Sequence, residues 1–304
     1  MNLISIKDLT KKQIKEIYDL VPKYKTKDLI PDLKNKYIGL IFEKPSTRTR
    51  ISFEVGIQQL GAVPIELNEK QLQISRGETI KDTANIFNCY LDGLILRVKK
   101  HDTILEFTKY SKIPVINALS DKEHPCQIIS DIWTIMEFKK VSLDEINKIK
   151  FVYIGDANNV CMSIIYISET LNMNSYFIIP KKFQPKEKFK ENIVITDDLE
   201  TIKDADVVYT DVWISMGQEK ERKKRIKIFK PYQLNSKLLS LAKKDCIVMH
   251  CLPANRGLEI TDEVLDGKNS VVLKQAENRL YVQKALMVYL FKIGREEIKL
   301  NIEK

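Results

Sequence analysis

Three observations in the sequence predict an α/β protein made of two doubly wound parallel-sheet domains. The chain has 304 residues, about two domains' worth at roughly 100–200 residues each. Short apolar runs recur from one end to the other. Between them lie amphipathic stretches long enough for helices, and such alternation buries parallel strands beneath helices on both faces.

The elements follow in order. YIGLIFE (37–43), GLILRV (93–98) and PVINA (114–118) read as buried strands of the first half. KFVYIGD (150–156), SYFIIP (175–180), DVVYTDV (206–212) and CIVMHC (246–251) do the same in the second. Helical patterns cover 50–60, 79–91, 126–140, 160–172 and 231–244, and a long one runs from 275 to about 300. The polar segment KKVSLDEINKIK (139–150) marks the expected boundary. It separates residues 1–140, joined by 277–304, from residues 150–276.

Composition excludes several classes. At 44% hydrophobic and 30% charged residues the chain is not mainly disordered. No apolar run approaches the roughly 18 residues of a membrane span, and MNLISIKDLTKKQIKEIYDL has no apolar signal core, so a cytoplasmic location without membrane partners is expected. Five cysteines without paired spacing suit a reducing compartment better than a disulfide framework or a metal site. The net charge of +9 is mostly dispersed lysine. The dense run EKERKKRIK (219–227) reads as a solvated helix face, and without aromatic–basic interleaving no nucleic-acid partner is expected. The nine arginines pose the sharper question of where a planar, bidentate fork is needed.

FEKPSTRTRISFEVGIQQLG (42–61) offers one answer. A strand ends at Glu43, Pro45 turns the chain, and Ser46 stands where a helix N-cap belongs. The helix continues on Ile51, Val55 and Leu60 to Gly61. A helix N-terminus presents free N–H groups and a positive dipole end. Ser46, Thr47, Arg48 and Thr49 add hydroxyl and guanidinium donors there, which favours phosphate. Gln73 and Arg76 lie in a polar loop. Arg97 ends a strand, where open α/β sheets place ligands, and His124 and Gln127 follow another strand in SDKEHPCQIISDIW.

In the second half, GDANNV (155–160) follows a strand and opens a helix without the glycines of a dinucleotide fingerprint. Its paired amides, Asn158 and Asn159, suit a zwitterionic ligand. YTDVWISMG (209–217) puts Asp211 at a strand end, with Ser215 and Met216 in the loop beyond. HCLPANRG (250–257) puts Cys251 and Leu252 in a shaped loop, and Arg279 lies in the last helix.

STRTR (46–50), HPCQ (124–127), DVWISMG (211–217), HCLPA (250–254) and ENRL (277–280), in this order over nearly the whole chain, resemble the aspartate/ornithine carbamoyltransferase family. The resemblance implies carbamoyl phosphate as one substrate. The SMG and HCLPA motifs point to the ornithine branch, and Asp211 suits a cationic acceptor where an acidic one would be repelled. Position by position, it implies that Ser46, Thr47, Arg48 and Thr49 hold the phosphate. Arg97, His124 and Gln127 hold the carbamoyl group, with Arg279 completing the set. Gln73 resembles a swinging-loop residue that can reach a neighbouring subunit's site in a homotrimer. Asn158 or Asn159, Asp211, Ser215 and Met216 resemble acceptor contacts, with Cys251 and Leu252 between the two ligands. Asn255 departs from the histidine often found after HCLPA. The family also implies a site in a cleft between the domains, with the C-terminal helix packed back on the first.

The implied reaction is attack of ornithine's δ-amine on carbamoyl phosphate, giving citrulline and phosphate. Cys251, Arg97, His124 and Asp211 are the catalytic candidates, and no cofactor or metal is required. A covalent Cys251 would need a nearby base, and strand alternation turns His250 away from it. Putrescine or another diamine is the alternative acceptor. A non-catalytic anion-binding regulator is the distant alternative.

Overall fold

The computed structural model describes every residue except 69–71, 215–218 and 303–304, and for 219 and 292–302 it describes the backbone alone. The chain divides into two compact units, Met1–Ser130 with Glu277–Lys304, and Asp131–Ala276.

Unit 1 opens with α1 (Lys11–Tyr24), started by a Thr10–Gln13 capping box. Then come β1 (Tyr37–Phe42), α2 (Arg48–Gln59), β2 (Val63–Leu67), α3 (Ile80–Tyr90), β3 (Gly93–Arg97), α4 (His101–Tyr110) and β4 (Val115–Leu119). The four strands are parallel, in the order β2-β1-β3-β4. Helix α5 (Pro125–Lys139) begins in unit 1 and ends in unit 2. Burial of Ile41, Leu94, Leu96, Ile104, Phe107 and Val115 in one cluster explains why these apolar runs become inner strands and their covering helices.

Unit 2 contains β5 (Phe151–Ile154), α6 (Asn159–Leu171), β6 (Ser175–Ile178), β7 (Ile193–Thr196), β8 (Val207–Thr210), α7 (Arg222–Phe229), α8 (Ser236–Leu239), β9 (Ile247–Met249) and α9 (Asp262–Leu265). Its five parallel strands run in the order β7-β6-β5-β8-β9. The last helix, α10 (Val272–Ile302), starts in unit 2 and continues in unit 1. There it packs on the sheet, since a side chain at Gly93 would collide with the Phe291 ring.

The structure differs from the sequence expectation at several elements, each for a physical reason. Strands β2 and β7 are additional; both are sheet edges, only part-buried, and β2 contains Pro64, so neither shows a buried apolar run. The expected helix over 231–244 contracts to the single turn of α8, started by the Asn235 cap after a 3-10 turn at Lys230–Tyr232. The polar segment 139–150 lies within unit 2. It forms a 3-10 turn, Leu143–Lys148, that buries Leu143 and Ile146, and the units divide earlier, inside α5. In α2 the buried face is Thr49, Phe53, Gly56 and Ile57, while Ile51 and Val55 face outward. Among the described residues no helix is long and apolar enough to cross a membrane, and no cysteine forms a disulfide.

Candidate active site

Each unit's strand order reverses at one place, and that place holds the candidate residues. In unit 1 the reversal falls between β1 and β3, where Phe42 pairs with Arg97. In unit 2 it falls between β5 and β8, whose C-terminal ends lead to Asn158 and Asp211. A parallel sheet leaves its ligand crevice at such a point.

The unit 1 group is centred on Thr49. Arg279 Nη2 donates to Thr49 Oγ1 at 3.0 Å, and Arg97 Nη1 approaches the same oxygen at 3.4 Å. Arg97 is part-buried at the end of β3, whereas Arg279, on α10, is buried. With two guanidinium groups on its lone pairs, the Thr49 hydroxyl keeps its own hydrogen for a ligand. The α2 cap is Thr47 rather than Ser46, and it makes no side-chain cap hydrogen bond. The first-turn N–H groups therefore receive no side-chain cap from Thr47, and a helix N-terminus of this kind can receive an anion. Ser46 and Arg48 are half-exposed and Thr47 is exposed beside them.

His124 and Gln127, both buried, sit where α5 begins, and the His124 carbonyl accepts the Gln127 N–H at 3.1 Å. Burial, then Arg279 and Arg97, hold the His124 imidazole well below its ordinary pKa, so it is neutral at pH 7. Cys126 beside it is an inert core thiol, pushed up to about 12 by burial. Gln73 opens an exposed 3-10 turn, Gln73–Arg76. No hydrogen bond among the described residues joins its side chain to Thr49, Arg97 or Arg279.

The unit 2 group is centred on Asp211, buried just beyond β8. Asn158 Nδ2 donates to Asp211 Oδ2 at 2.7 Å, and the Cys251 thiol donates to Oδ1 at 3.1 Å. Asn158 is also the cap of α6, accepting the Cys161 N–H at 3.0 Å. The two adjacent asparagines thus separate: Asn158 aims Asp211, while half-exposed Asn159 opens the helix. Leu252 adopts a left-handed φ of 57° and precedes a cis bond to Pro253. Ser215 and Met216 lie outside the described residues.

Arg225 is the member that the charge pattern hid. Within the run read as a solvated face it is buried, pairing with Asp156 and donating from Nε to the Trp213 carbonyl at 2.6 Å. Its guanidinium lies 4.6 Å from the Phe183 ring and 5.3 Å from that of Phe229. One side chain therefore ties the segment leaving Asp211 to the segment entering Asn158. Burial raises Asp156 to about 6 even with Arg225 opposing it. The i, i+4 pairing of Arg225 with Phe229 was the available sequence signal.

His250 corrects a second expectation. Strand β9 ends at Met249, so alternation no longer governs the next two residues. Ligand atoms of Asp211, His250 and Cys251 lie within 4.8 Å of one another, a donor set suited to a divalent cation such as zinc. Both ring nitrogens are already engaged, however. Nδ1 accepts the Leu252 N–H at 2.9 Å and Nε2 faces Glu259 at 3.1 Å. Asp211 and Cys251 share their own hydrogen bond, and His250, held by Leu252 and Glu259, is oriented as a brace rather than as a base for Cys251.

Comparison with known proteins finds one family across both halves of the chain. Residues 1–137 match the carbamoyl-P binding domain of aspartate/ornithine carbamoyltransferase, and residues 147–290 match its Asp/Orn binding domain. The chain belongs to the aspartate/ornithine carbamoyltransferase family. An ornithine carbamoyltransferase of Methanosarcina acetivorans is 50% identical over 303 residues, covering 96% of this chain and 99% of the relative. The ornithine carbamoyltransferase structure from Pyrococcus furiosus superposes with a TM-score of 0.89 at 42% identity, over 96% of this chain and 97% of that one. An anabolic ornithine carbamoyltransferase from Campylobacter jejuni gives 0.86 at 38% identity, over 95% and 98% of the two chains.

Proposed function

We propose that this protein transfers the carbamoyl group of carbamoyl phosphate to the δ-amine of L-ornithine, giving L-citrulline and phosphate. The observation that carries the reading is the buried Asp211 carboxylate, flanked by Asn158 and the Cys251 thiol at the reversal point of unit 2. An acidic receptor attracts a cationic amine and repels aspartate.

The chemistry makes three demands. An aliphatic ammonium, with a pKa near ~10.4, must lose its proton before it attacks. Asp211 and Cys251 orient the neutral amine, with Asn158 holding Asp211 and with Asn159, Ser215 and Met216 read as further acceptor contacts. The oxyanion forming on the carbonyl needs preorganised donors. Thr49, Arg97 and neutral His124 supply them, and Gln127 holds the carbamoyl amide. The leaving phosphate takes its charge to Arg48, Arg279, Ser46, Thr47 and the N–H groups of α2. Leu252 is read as a further carbamoyl phosphate contact. Gln73 is read as a contact lent to a neighbouring subunit.

A homotrimer in the cytoplasm, serving arginine biosynthesis, is the setting we read for it. Apolar Ile51, Val55, Ile86 and Tyr90, exposed on unit 1, support an assembly. Light scattering of the purified chain tests the trimer. The decisive assay offers carbamoyl phosphate with ornithine, putrescine, N-acetylornithine or aspartate. Citrulline formation with ornithine should exceed every other product; preference for putrescine would refute the acceptor assignment.

A further inference from the structure

Neither Asp131 nor Gln275 is among the site residues named above, yet they are only 3% and 1% exposed. Gln275 Nε2 donates to Asp131 Oδ1 at 2.8 Å and to the Tyr209 hydroxyl oxygen at 3.2 Å. That hydroxyl donates in turn to Asp131 Oδ2 at 2.9 Å. At its other atom, Gln275 Oε1 accepts the His250 backbone N–H at 3.0 Å. These partners fix the amide orientation, because only Nε2 can donate to a carboxylate and only Oε1 can accept an N–H.

Beyond His250 the loop closes on itself. The Leu252 N–H reaches His250 Nδ1 at 2.9 Å, and Glu259 Oε1 accepts the Asn255 N–H at 2.6 Å while facing His250 Nε2. The loop is therefore cross-braced by its own hydrogen bonds, and the bond to Gln275 anchors it immediately before Cys251. We propose that Gln275, held by Asp131 and Tyr209, is a positioning residue for the acceptor, fixing the 250–255 loop so that the Cys251 thiol meets Asp211. This rests on the carbamoyl-transfer reading, in which Cys251 and Asp211 orient the attacking amine.

The test uses the full-length enzyme in steady state with carbamoyl phosphate and ornithine. Inactivity of the wild type on ornithine would refute the functional reading itself, before any variant is made. Q275E keeps the acceptor for the His250 N–H but sets a carboxylate against Asp131. It should raise the KM for ornithine about tenfold while the KM for carbamoyl phosphate stays within about twofold. The double variant D131N/Q275E exchanges donor and acceptor: the new amide donates to the new carboxylate and still accepts the Tyr209 hydroxyl. It should return the ornithine KM to within about threefold of wild type, the signature of a direct pair.

An unchanged ornithine KM in Q275E, or a double variant no better than the single, overturns the proposal. So does an equal rise in both constants. Asp131 lies one turn after Gln127 on α5, and Gln275 one turn before Arg279 on α10, so an equal rise would mean that the network braces those helices instead. If Q275E does not fold, the near-isosteric Q275M, which loses the acceptor for the His250 N–H, carries the same one-sided prediction.

Discussion

Replacing Arg225 by methionine removes the cation from a pair in which both side chains are nearly out of solvent, 4% exposed for Arg225 and 7% for Asp156. Breaking such a pair at one partner costs about 3–5 kcal/mol, because the remaining charge is left without compensation. Unit 2, Asp131–Ala276, should melt roughly 6–20 °C lower at a scale of roughly 2–4 °C per kcal/mol. The sign of the pH dependence separates charge from packing. Burial already raises Asp156 to about 6, and without Arg225 it rises further. A group raised in the folded state stabilises below its unfolded pKa and loses that contribution as pH climbs through its folded pKa. The deficit of R225M should therefore be largest near pH 8 and shrink toward pH 5.

Arg225→Lys separates the same interaction differently. Lysine restores the charge beside Asp156 but cannot keep the Nε bond to the Trp213 carbonyl or the planar face toward Phe183. It should lose about 1–3 kcal/mol, the cost of a buried carbonyl left unpaired. Both variants should raise the ornithine KM more than that for carbamoyl phosphate, since Asp156 and Trp213 flank the acceptor residues. Differential scanning calorimetry at pH 5, 6.5 and 8 with parallel kinetics is the assay. A deficit independent of pH would refute the charge argument and leave only lost packing.

Thr49→Val removes the hydroxyl that two guanidinium groups converge on. Its kcat/KM for carbamoyl phosphate should fall about 10²-fold, and a change under threefold in steady-state assays would exclude Thr49 as a donor to the reacting group. Cys251→Ser retains a donor toward Asp211 and should keep measurable turnover, whereas complete loss with ornithine binding intact by calorimetry would contradict an orienting role. Buried Lys284, lowered to about 8 by burial, donates to the Thr26 carbonyl and Gln59 Oε1 at 2.6 and 2.8 Å. A depressed folded pKa means that the unfolded chain binds more protons between about pH 8 and 10.5, so wild-type stability should gain on that of K284M across this range. Melting curves at pH 7 and 9.5 check the sign.

The inner strands and the motif loops were legible in the sequence because each is a local pattern: an apolar run, then a turn carrying polar groups. Strands β2 and β7 were not, because neither contains a fully buried residue and so neither shows the buried apolar run of the other strands. Helix α2 misled for a related reason. Its apolar residues lie on two faces, and only the fold selects Phe53 and Ile57 over Ile51 and Val55. Asn158 and Asn159 were indistinguishable as neighbours; one residue of helical phase makes the first a cap and the tether of Asp211. Arg225 and Gln275 were hidden more deeply, since each acquires its role from partners far away in the chain.

The arginines show which positions demand a fork and which merely carry charge. Arg97 and Arg279 converge on one threonine oxygen, and Arg225 serves a carboxylate, a carbonyl and two aromatic faces at once. A lysine ammonium cannot reproduce either arrangement, because its donors are not held in a plane. Arg50, by contrast, reaches Glu54 and Glu66 from a half-exposed position, and Arg256 pairs with Asp262 and Asp266 in the open. Exposed pairs are worth about 0–1 kcal/mol. Arginine-to-lysine exchange should therefore be nearly silent at 50 and 256 in both melting and kinetics. The same exchange at 97, 225 or 279 should be felt at once, at 97 and 279 through carbamoyl phosphate and at 225 through the acceptor. Losses of similar size at all five positions would mean that net charge, rather than guanidinium geometry, is what this family member needs.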